Sequence, residues 1–327
     1  MSAPTRWGIL GCGNIARKFA AGLAALEDAA LVAVGSRSAD KARAFAAEFG
    51  ASRAHGTYED LAADPQVDAV YVATPHPMHR DHAILCLEAG KAVLCEKPFT
   101  VNAAAARAVV QVARARGVFL MEAMWTRFLP VMVRVREWLA AGAIGEPRLV
   151  TADFGFRAGI NPESRLFDPA LAGGALLDVG VYPVSLACMV FGPHPDRVAS
   201  LATLGETGVD EQTAVVLGFP GGQLAVATAA IRTNTPQEAR ILGTDGMILL
   251  EPAFWRGERA LLRTRAGEER ADLPLAGNGY NYEAAEVGRC LRAGLLESPT
   301  MPLDETIAIL DVLDRIRAQW GLKYPME

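Results

Sequence analysis

The sequence predicts an α/β protein in two domains: a doubly wound parallel sheet over residues 1–125, then a second α/β domain on a large, mostly antiparallel sheet over residues 126–327. Three observations predict this. With 327 residues, 51% of them hydrophobic, the chain suits about two domains of roughly 100–200 residues each. Its first third alternates short apolar runs with amphipathic stretches. After about Trp125 that rhythm stops, and strand-like runs joined by tight turns take over.

In order along the chain, "RWGIL", "ALVAVGS", "VDAVYVATP", "AVLCE" and "VFLMEA" read as strands. Between them "GNIARKFAAGLAAL", "SADKARAFAAEFG", "HRDHAILCLEAG" and "NAAAARAVVQVARARG" read as helices. The strands are continuously apolar, without period-two alternation, as expected where helices cover both faces of a parallel sheet. Ser38, Thr57 and Asn102 stand where helix N-caps belong, and Gly50, Gly90 and Gly117 where helices should end. Beyond Trp125 one helix, "PVMVRVREWLAAG", precedes strands such as "PRLVTADFGF", "QTAVVLGFP", "GQLAVATAAI" and "EARILGTDGMILLE". Two further helices, "GALLDVGVYPVSLACMVFG" and "LDETIAILDVLDRIRAQW", punctuate that half.

Composition narrows the function. A net charge of −5 with scattered Lys and Arg gives no footprint for nucleic acid. Met1–Leu10 offers an apolar run too brief for a signal-peptide core or a membrane span, so a cytoplasmic protein is expected. Five cysteines, Cys12, Cys86, Cys95, Cys188 and Cys290, lack CxxC pairing and read as small buried hydrophobes. His76, His79 and His82 have no Cys or carboxylate completing a ligand set, so no metal is expected.

"GILGCGNIA" places Gly11, Gly13 and Ala16 as G-x-G-x-x-A between a strand and a helix, the context that gives the motif meaning. Gly11 allows the tight turn, Gly13 leaves room for a pyrophosphate, and the amides from Asn14 and Ile15 onward face the phosphates. The next strand ends "VGSRS", without the acid that holds a ribose 2′-hydroxyl in NAD-binding proteins. Ser36 and Arg37 stand there instead, a hydroxyl and a guanidinium suited to a 2′-phosphate, so NADP is expected over NAD. "VATPHPMH" and "CEKPF" close two further strands, and open α/β sheets bind ligands at such carboxyl ends. Thr74, Pro75, His76, His79, Glu96 and Lys97 are therefore candidate cofactor contacts. Far along the chain, "GGALLDVGVYP" sets Asp178 and Tyr182 four apart on one face of a helical pattern.

Together "GCGNIA", "VATPHPMH", "CEKPF" and "GGALLDVGVY" resemble the glucose-fructose oxidoreductase and inositol dehydrogenase family (Gfo/Idh/MocA), over nearly the whole chain. The stretches "LMEAMWTRFLP", "ETGVDEQTAVVL" and "YEAAEVGRCLRAGLLESP" look closest to its branch of dimeric dihydrodiol dehydrogenases and NADP-dependent xylose dehydrogenases. The resemblance implies an N-terminal Rossmann domain and a C-terminal domain whose open sheet makes a homodimer interface. It also implies that Lys97 sits beside the nicotinamide and that Asp178 and Tyr182 complete the catalytic set. Tyr182 stands where many members have histidine, which sets the chain apart from the inositol dehydrogenases.

The chemistry so implied is hydride transfer between NADP and a secondary alcohol or carbonyl of a small molecule: a sugar, polyol or cyclic dihydrodiol. Such a step needs a group to take the hydroxyl proton as charge grows on oxygen. A phenol titrates near pH 10, so Tyr182 would need the Lys97 ammonium nearby; alternatively Lys97 is itself the base. Asp178 would orient the substrate hydroxyl or Lys97, and Glu96 would line the nicotinamide end. Trp125, Arg127, Phe154 and Phe156 are candidates for a substrate wall, since aromatic faces stack on rings and an arginine supplies donors. Tyr280, in "GNGYNYEAAE", is a further candidate. A non-catalytic NADP sensor and a nicotinamide-dependent glycosidase on the same fold are the competing readings.

Overall fold

The computed structural model describes residues 3–327. Its N-terminal part runs β1 (Thr5–Leu10), α1 (Asn14–Leu23), β2 (Ala29–Gly35), α2 (Ala39–Phe49), β3 (Arg53–His55), α3 (Tyr58–Ala63), β4 (Ala69–Val72), α4 (His79–Glu88), β5 (Ala92–Glu96), α5 (Ala103–Arg116) and β6 (Leu120–Ala123). The six strands form one parallel sheet in the order β3-β2-β1-β4-β5-β6. Every residue of β4, β5 and β6 is buried, which explains their continuous apolar runs; Glu96 at the end of β5 and Glu122 in β6 are the buried exceptions and are hydrogen-bonded inside the protein. The edge strand β3 has three residues, two of them exposed, and no apolar run announces it. Ser38 and Thr57 cap α2 and α3 as expected, their hydroxyls accepting from the Lys41 and Asp60 amides. Gly50, Gly90 and Gly117 all take positive φ at helix ends.

The second part starts with α6 (Pro130–Ala140) and β7 (Pro147–Gly155), then a long loop and α7 (Val181–Phe191). It continues through β8 (Arg197–Leu204), β9 (Asp210–Gly218), β10 (Leu224–Ala230), β11 (Ala239–Gly243), β12 (Gly246–Leu250), β13 (Arg259–Thr264) and β14 (Gly267–Asp272). These eight strands form a sheet in the order β14-β13-β12-β11-β7-β10-β9-β8, antiparallel except where β7 pairs with β10. α7 packs on β7 and β10. The opposite face leaves Leu201, Val216, Leu224 and Val226 exposed, Leu201 at 80%. The apolar stretch from Pro169 to Phe191 is long enough to cross a bilayer, but it is largely buried in the protein.

Two helices close the chain, α8 (Tyr280–Arg292) and α9 (Leu303–Trp320). The compact units are accordingly not simple halves: the first comprises residues 1–100, 104–128 and 276–306, and the second 101–103, 129–275 and 307–327. The single boundary at residue 125 expected from the sequence misses this return, which is made by contact between distant segments. Gly22 on α1 makes the return possible, because a Cβ there would lie 2.8 Å from Asn278 Oδ1 and 3.1 Å from the Asn281 amide nitrogen. Asn278 then donates to the Lys18 carbonyl at 2.7 Å.

The expected helix through "GALLDVGVY" opens differently. Leu176–Gly180 is a π-turn, and α7 begins after it. Gly174, at φ +118°, turns the chain where any Cβ would meet Asp210 Oδ1, and Tyr324 donates its hydroxyl to the Gly173 carbonyl at 2.7 Å. Asp210 Oδ2 accepts the Leu176 amide at 2.6 Å, while its Oδ1 is buried without a partner among the described residues. Burial pushes Asp210 up to about 7. An unfolded aspartate titrates near 3.9, so between those values the folded chain holds a proton that the unfolded chain has released. The stability this group contributes is complete below about pH 4 and declines as the pH rises toward 7. Asp210→Asn imitates the neutral acid, so the wild type should lose on the order of a few kcal/mol relative to the variant between pH 4 and pH 7. Urea unfolding at the two pH values measures it; an unchanged difference would show that Asp210 is ionised throughout.

Candidate active site

In the first unit, the carboxyl ends of β1, β2, β4, β5 and β6 carry the expected residues. Gly11, at φ +103°, would bring a Cβ to 3.0 Å from the Ala73 carbonyl oxygen, so glycine alone lets β1 turn here. Beyond its two chain neighbours, Gly13 has no atom within 4 Å of where its Cβ would stand among the described residues. It precedes α1 without any side-chain cap, leaving the first-turn amides at Asn14 and Ile15 available to an anion. Ala16 is fully buried under the helix. This open cradle fits the pyrophosphate of a dinucleotide. At the end of β2, Ser36 is buried, accepts the Ser38 amide at 3.3 Å and meets the Cys12 thiol. Arg37 is exposed and lies beside the Tyr58 hydroxyl.

After β4, Thr74 Oγ1 meets His82 Nδ1 at 3.0 Å, Pro75 is exposed and His76 half-buried. His79 differs from expectation. Fully buried, it has Nδ1 2.9 Å from the Pro98 carbonyl oxygen and Nε2 2.7 Å from that of Thr74. It braces the turns after β4 and β5 from inside and presents no ring edge to a cofactor. Burial draws it down to about 4, against the two carbonyls that favour a proton.

β5 ends in Glu96, which is buried, and Lys97 follows it, half-buried. Tyr71 donates its hydroxyl to Glu96 Oε1, and the Lys97 amide donates to Glu96 Oε2 at 3.0 Å. Glu96 thus fixes the backbone from which the lysine departs. Glu283 on α8 is fully buried, neither carboxyl oxygen has a partner among the described residues, and burial with the Glu96 charge holds it well above the usual range.

Trp125 and Tyr280, far apart in sequence, stack with ring centroids 4.4 Å apart and planes 11° apart. Arg127, expected as a substrate donor, is 4% exposed and pairs with Glu305 Oε1 at 2.6 Å. Its guanidinium ties the turn after β6 to the start of α9, because a buried cation requires a partner.

In the second unit, Asp178 and Tyr182 are both buried. Asp178 is held by Arg165, whose Nη1 and Nη2 lie 2.7 and 3.4 Å from its two oxygens. No sequence pattern pointed to Arg165, since a loop arginine thirteen residues upstream carries no periodic signal. Tyr182 belongs to an aromatic group: its ring is 5.5 Å from Phe154 and 6.1 Å from Trp255, and Phe154 stacks on Trp255 at 4.6 Å and 8°. Phe156 lies 6.4 Å from Phe154 at the group's edge. Trp255 carries no sequence signal either: its neighbours "PAFWRG" offer no periodicity, and only the fold brings it beside Phe154 of β7.

Residues 5–124 match the family described as an oxidoreductase family with an NAD-binding Rossmann fold, and residues 132–249 match the GFO/IDH/MocA C-terminal domain. The chain belongs to the Gfo/Idh/MocA oxidoreductase family and is an enzyme of it, with a nicotinamide-cofactor Rossmann domain. It is 41% identical to the trans-1,2-dihydrobenzene-1,2-diol dehydrogenase of Mus musculus and 40% identical to that of Homo sapiens, each match covering 98% of both chains. Among solved structures, the aldose-aldose oxidoreductase of Caulobacter crescentus complexed with glycerol is similar with a TM-score of 0.89, at 26% identity over 98% of each chain. KijD10, a 3-ketoreductase from Actinomadura kijaniata solved with NADP and TDP-benzene, has a TM-score of 0.83 at 27% identity, covering 96% of this chain and 97% of that one.

The emptiness around Gly13 separates cofactor binding from folding. Gly13→Val should leave the melting temperature within a few degrees of wild type, since no protein atom contests the space. The same substitution should weaken cofactor binding at least about ten-fold, read by fluorescence titration with the reduced cofactor. Undiminished binding would place the pyrophosphate elsewhere.

Proposed function

We propose that this enzyme is an NADP-dependent oxidoreductase that moves a hydride between the nicotinamide and a secondary alcohol or carbonyl of a sugar, polyol or cyclic dihydrodiol. One observation carries the reading: in a single unit, Lys97 leaves the carboxyl end of β5 on the sheet whose β1 turn opens a glycine cradle and an uncapped helix N-terminus. The names of the 40% identical relatives support the dihydrodiol class, and the NADP complex of KijD10 supports the cofactor.

The bound cofactor accepts or supplies the hydride. Gly11 and Gly13 leave it room, the Asn14 and Ile15 amides hold its phosphates, and Thr74, Pro75, His76 and Glu96 line its way toward Lys97. Arg37 takes the 2′-phosphate through charge-assisted hydrogen bonds, with Ser36 shaping the turn beneath it. The Lys97 ammonium stabilises charge on the reacting oxygen, and either Lys97 or Tyr182 moves the proton. Asp178, oriented by Arg165, directs the substrate hydroxyl. Trp125, Tyr280, Phe154, Trp255 and, at the edge, Phe156 supply ring faces to the substrate.

We also propose that the enzyme is a cytoplasmic homodimer joined through the open face of the eight-stranded sheet, where Leu201, Val216, Leu224 and Val226 would otherwise stay in water.

Lys97→Ala should lower turnover by about two to four orders of magnitude while leaving NADP affinity nearly intact. A variant retaining more than about a tenth of the activity would remove Lys97 from the chemistry. Tyr182→Phe assigns the proton: near-normal turnover leaves it with Lys97, and a loss like that of Lys97→Ala gives it to the phenol. Arg37→Ala should lower the preference for NADP over NAD about ten-fold or more, checked by kcat/KM with each cofactor. An unchanged ratio would sink the 2′-phosphate assignment.

A further inference from the structure

We propose that Gln237 is a positioning residue that fixes the Phe154–Trp255 ring stack, and through it the affinity for ring-shaped substrates. This rests on the oxidoreductase reading above for what the stack binds, but not for what Gln237 does to it. Gln237 lies just before β11 with φ +61°, one of two non-glycine residues among those described that take a left-handed backbone. Four of its groups are engaged around the stack. Its amide donates to Asp153 Oδ2 at 2.6 Å, and the next amide, of Glu238, donates to Asp153 Oδ1 at 3.2 Å. Its carbonyl accepts the Phe254 amide at 2.9 Å. Its side-chain oxygen accepts Trp255 Nε1 at 3.3 Å, and its side-chain nitrogen donates to the Gly155 carbonyl at 2.9 Å.

The two side-chain bonds reach both sides of the stack: the indole of Trp255 and the carbonyl of Gly155, the residue after Phe154. An indole N–H only donates and a carbonyl only accepts, so the group spanning them must do both. A side-chain amide does; the carboxylate of Glu and the thioether of Met do not. A turn that needed only its backbone would suit glycine better at φ +61°, because a side chain there costs free energy. The strained residue is thus explained by what its side chain holds. Trp255 itself sits on a single 3₁₀ turn, Phe254–Arg256, and without the Gln237 bond its ring plane loses one of its tethers.

The test pairs two full-length variants. Gln237→Met keeps the chain length and loses both side-chain bonds; Gln237→Gly relaxes the backbone as well. Both should raise KM for cyclic substrates about ten-fold while kcat stays within about two-fold, and Gln237→Gly should melt no lower than wild type. Independently of activity, each should lose the near-ultraviolet circular-dichroism component that Trp255→Phe also removes. Wild-type KM together with a wild-type spectrum would overturn the proposal. So would a fall in kcat that tracks a fall in melting temperature, which is the signature of a purely structural role. If the wild type turns over none of the substrates, the oxidoreductase reading fails, and the spectra of the three variants still decide whether Gln237 holds Trp255. If Gln237→Met does not fold, Gln237→Gly carries both measurements.

Discussion

An acid on a parallel strand buried on both faces needs partners inside the protein, and this constraint organises the first unit: Glu96 at the end of β5 accepts the Tyr71 hydroxyl and the Lys97 amide, and Glu122 in β6 accepts the Phe99 amide and the Thr306 hydroxyl. Polar chemistry is pushed to the strand ends, where the backbone leaves the sheet. In the order β3-β2-β1-β4-β5-β6, parallel pairing puts all the carboxyl ends on one edge, and the reversal of direction falls between β1 and β4. Gly11, Ser36, Thr74, Lys97 and Trp125 follow five of those strands and therefore share that edge. The lysine and the glycine turn both stand where a strand leaves the sheet, which is where the chain can face a ligand.

Much of this was legible because it is local. The glycine turn, the serine and threonine caps and the glycine helix ends depend on neighbours within a few residues, and each took the expected conformation. The choice of interior partners was not legible. His79 and Arg127 are residue types that suit ligand contacts, yet both are buried and committed to groups inside the protein. Whether a polar side chain meets a ligand or another element depends on contacts that only the fold makes. Arg165, Trp255 and Gln237 carry no sequence signal for the mirror-image reason: they lie on loops and short turns, where no period marks them, and their partners are distant or aperiodic.

The second unit meets a different demand, holding polar and aromatic groups steady near a turn that departs from regular helix. Asp210 supports the first amide of the π-turn, Tyr324 secures the glycine before it, and Arg165 anchors Asp178 within it. The sequence spacing of Asp178 and Tyr182 is compatible with both α and π geometry, so it indicated a shared face without revealing the wider turn. Buried acids are the recurring cost of these arrangements. Asp210 beneath the π-turn lies above the ordinary carboxylate range because burial opposes its charge, and Glu283 in the first unit is raised for the same reason.

The central claim is net redox chemistry on a small alcohol with a nicotinamide partner. Its most direct measurement is the absorbance of reduced cofactor when the enzyme and NADP meet pentoses, hexoses, inositols, cyclic dihydrodiols and a chromogenic glycoside, with released aglycone followed in parallel. The account predicts cofactor reduction matched mole for mole by oxidised alcohol with at least one free sugar, polyol or dihydrodiol. Tight NADP binding with no reduction across the panel, or glycoside cleavage without net reduction, would contradict it.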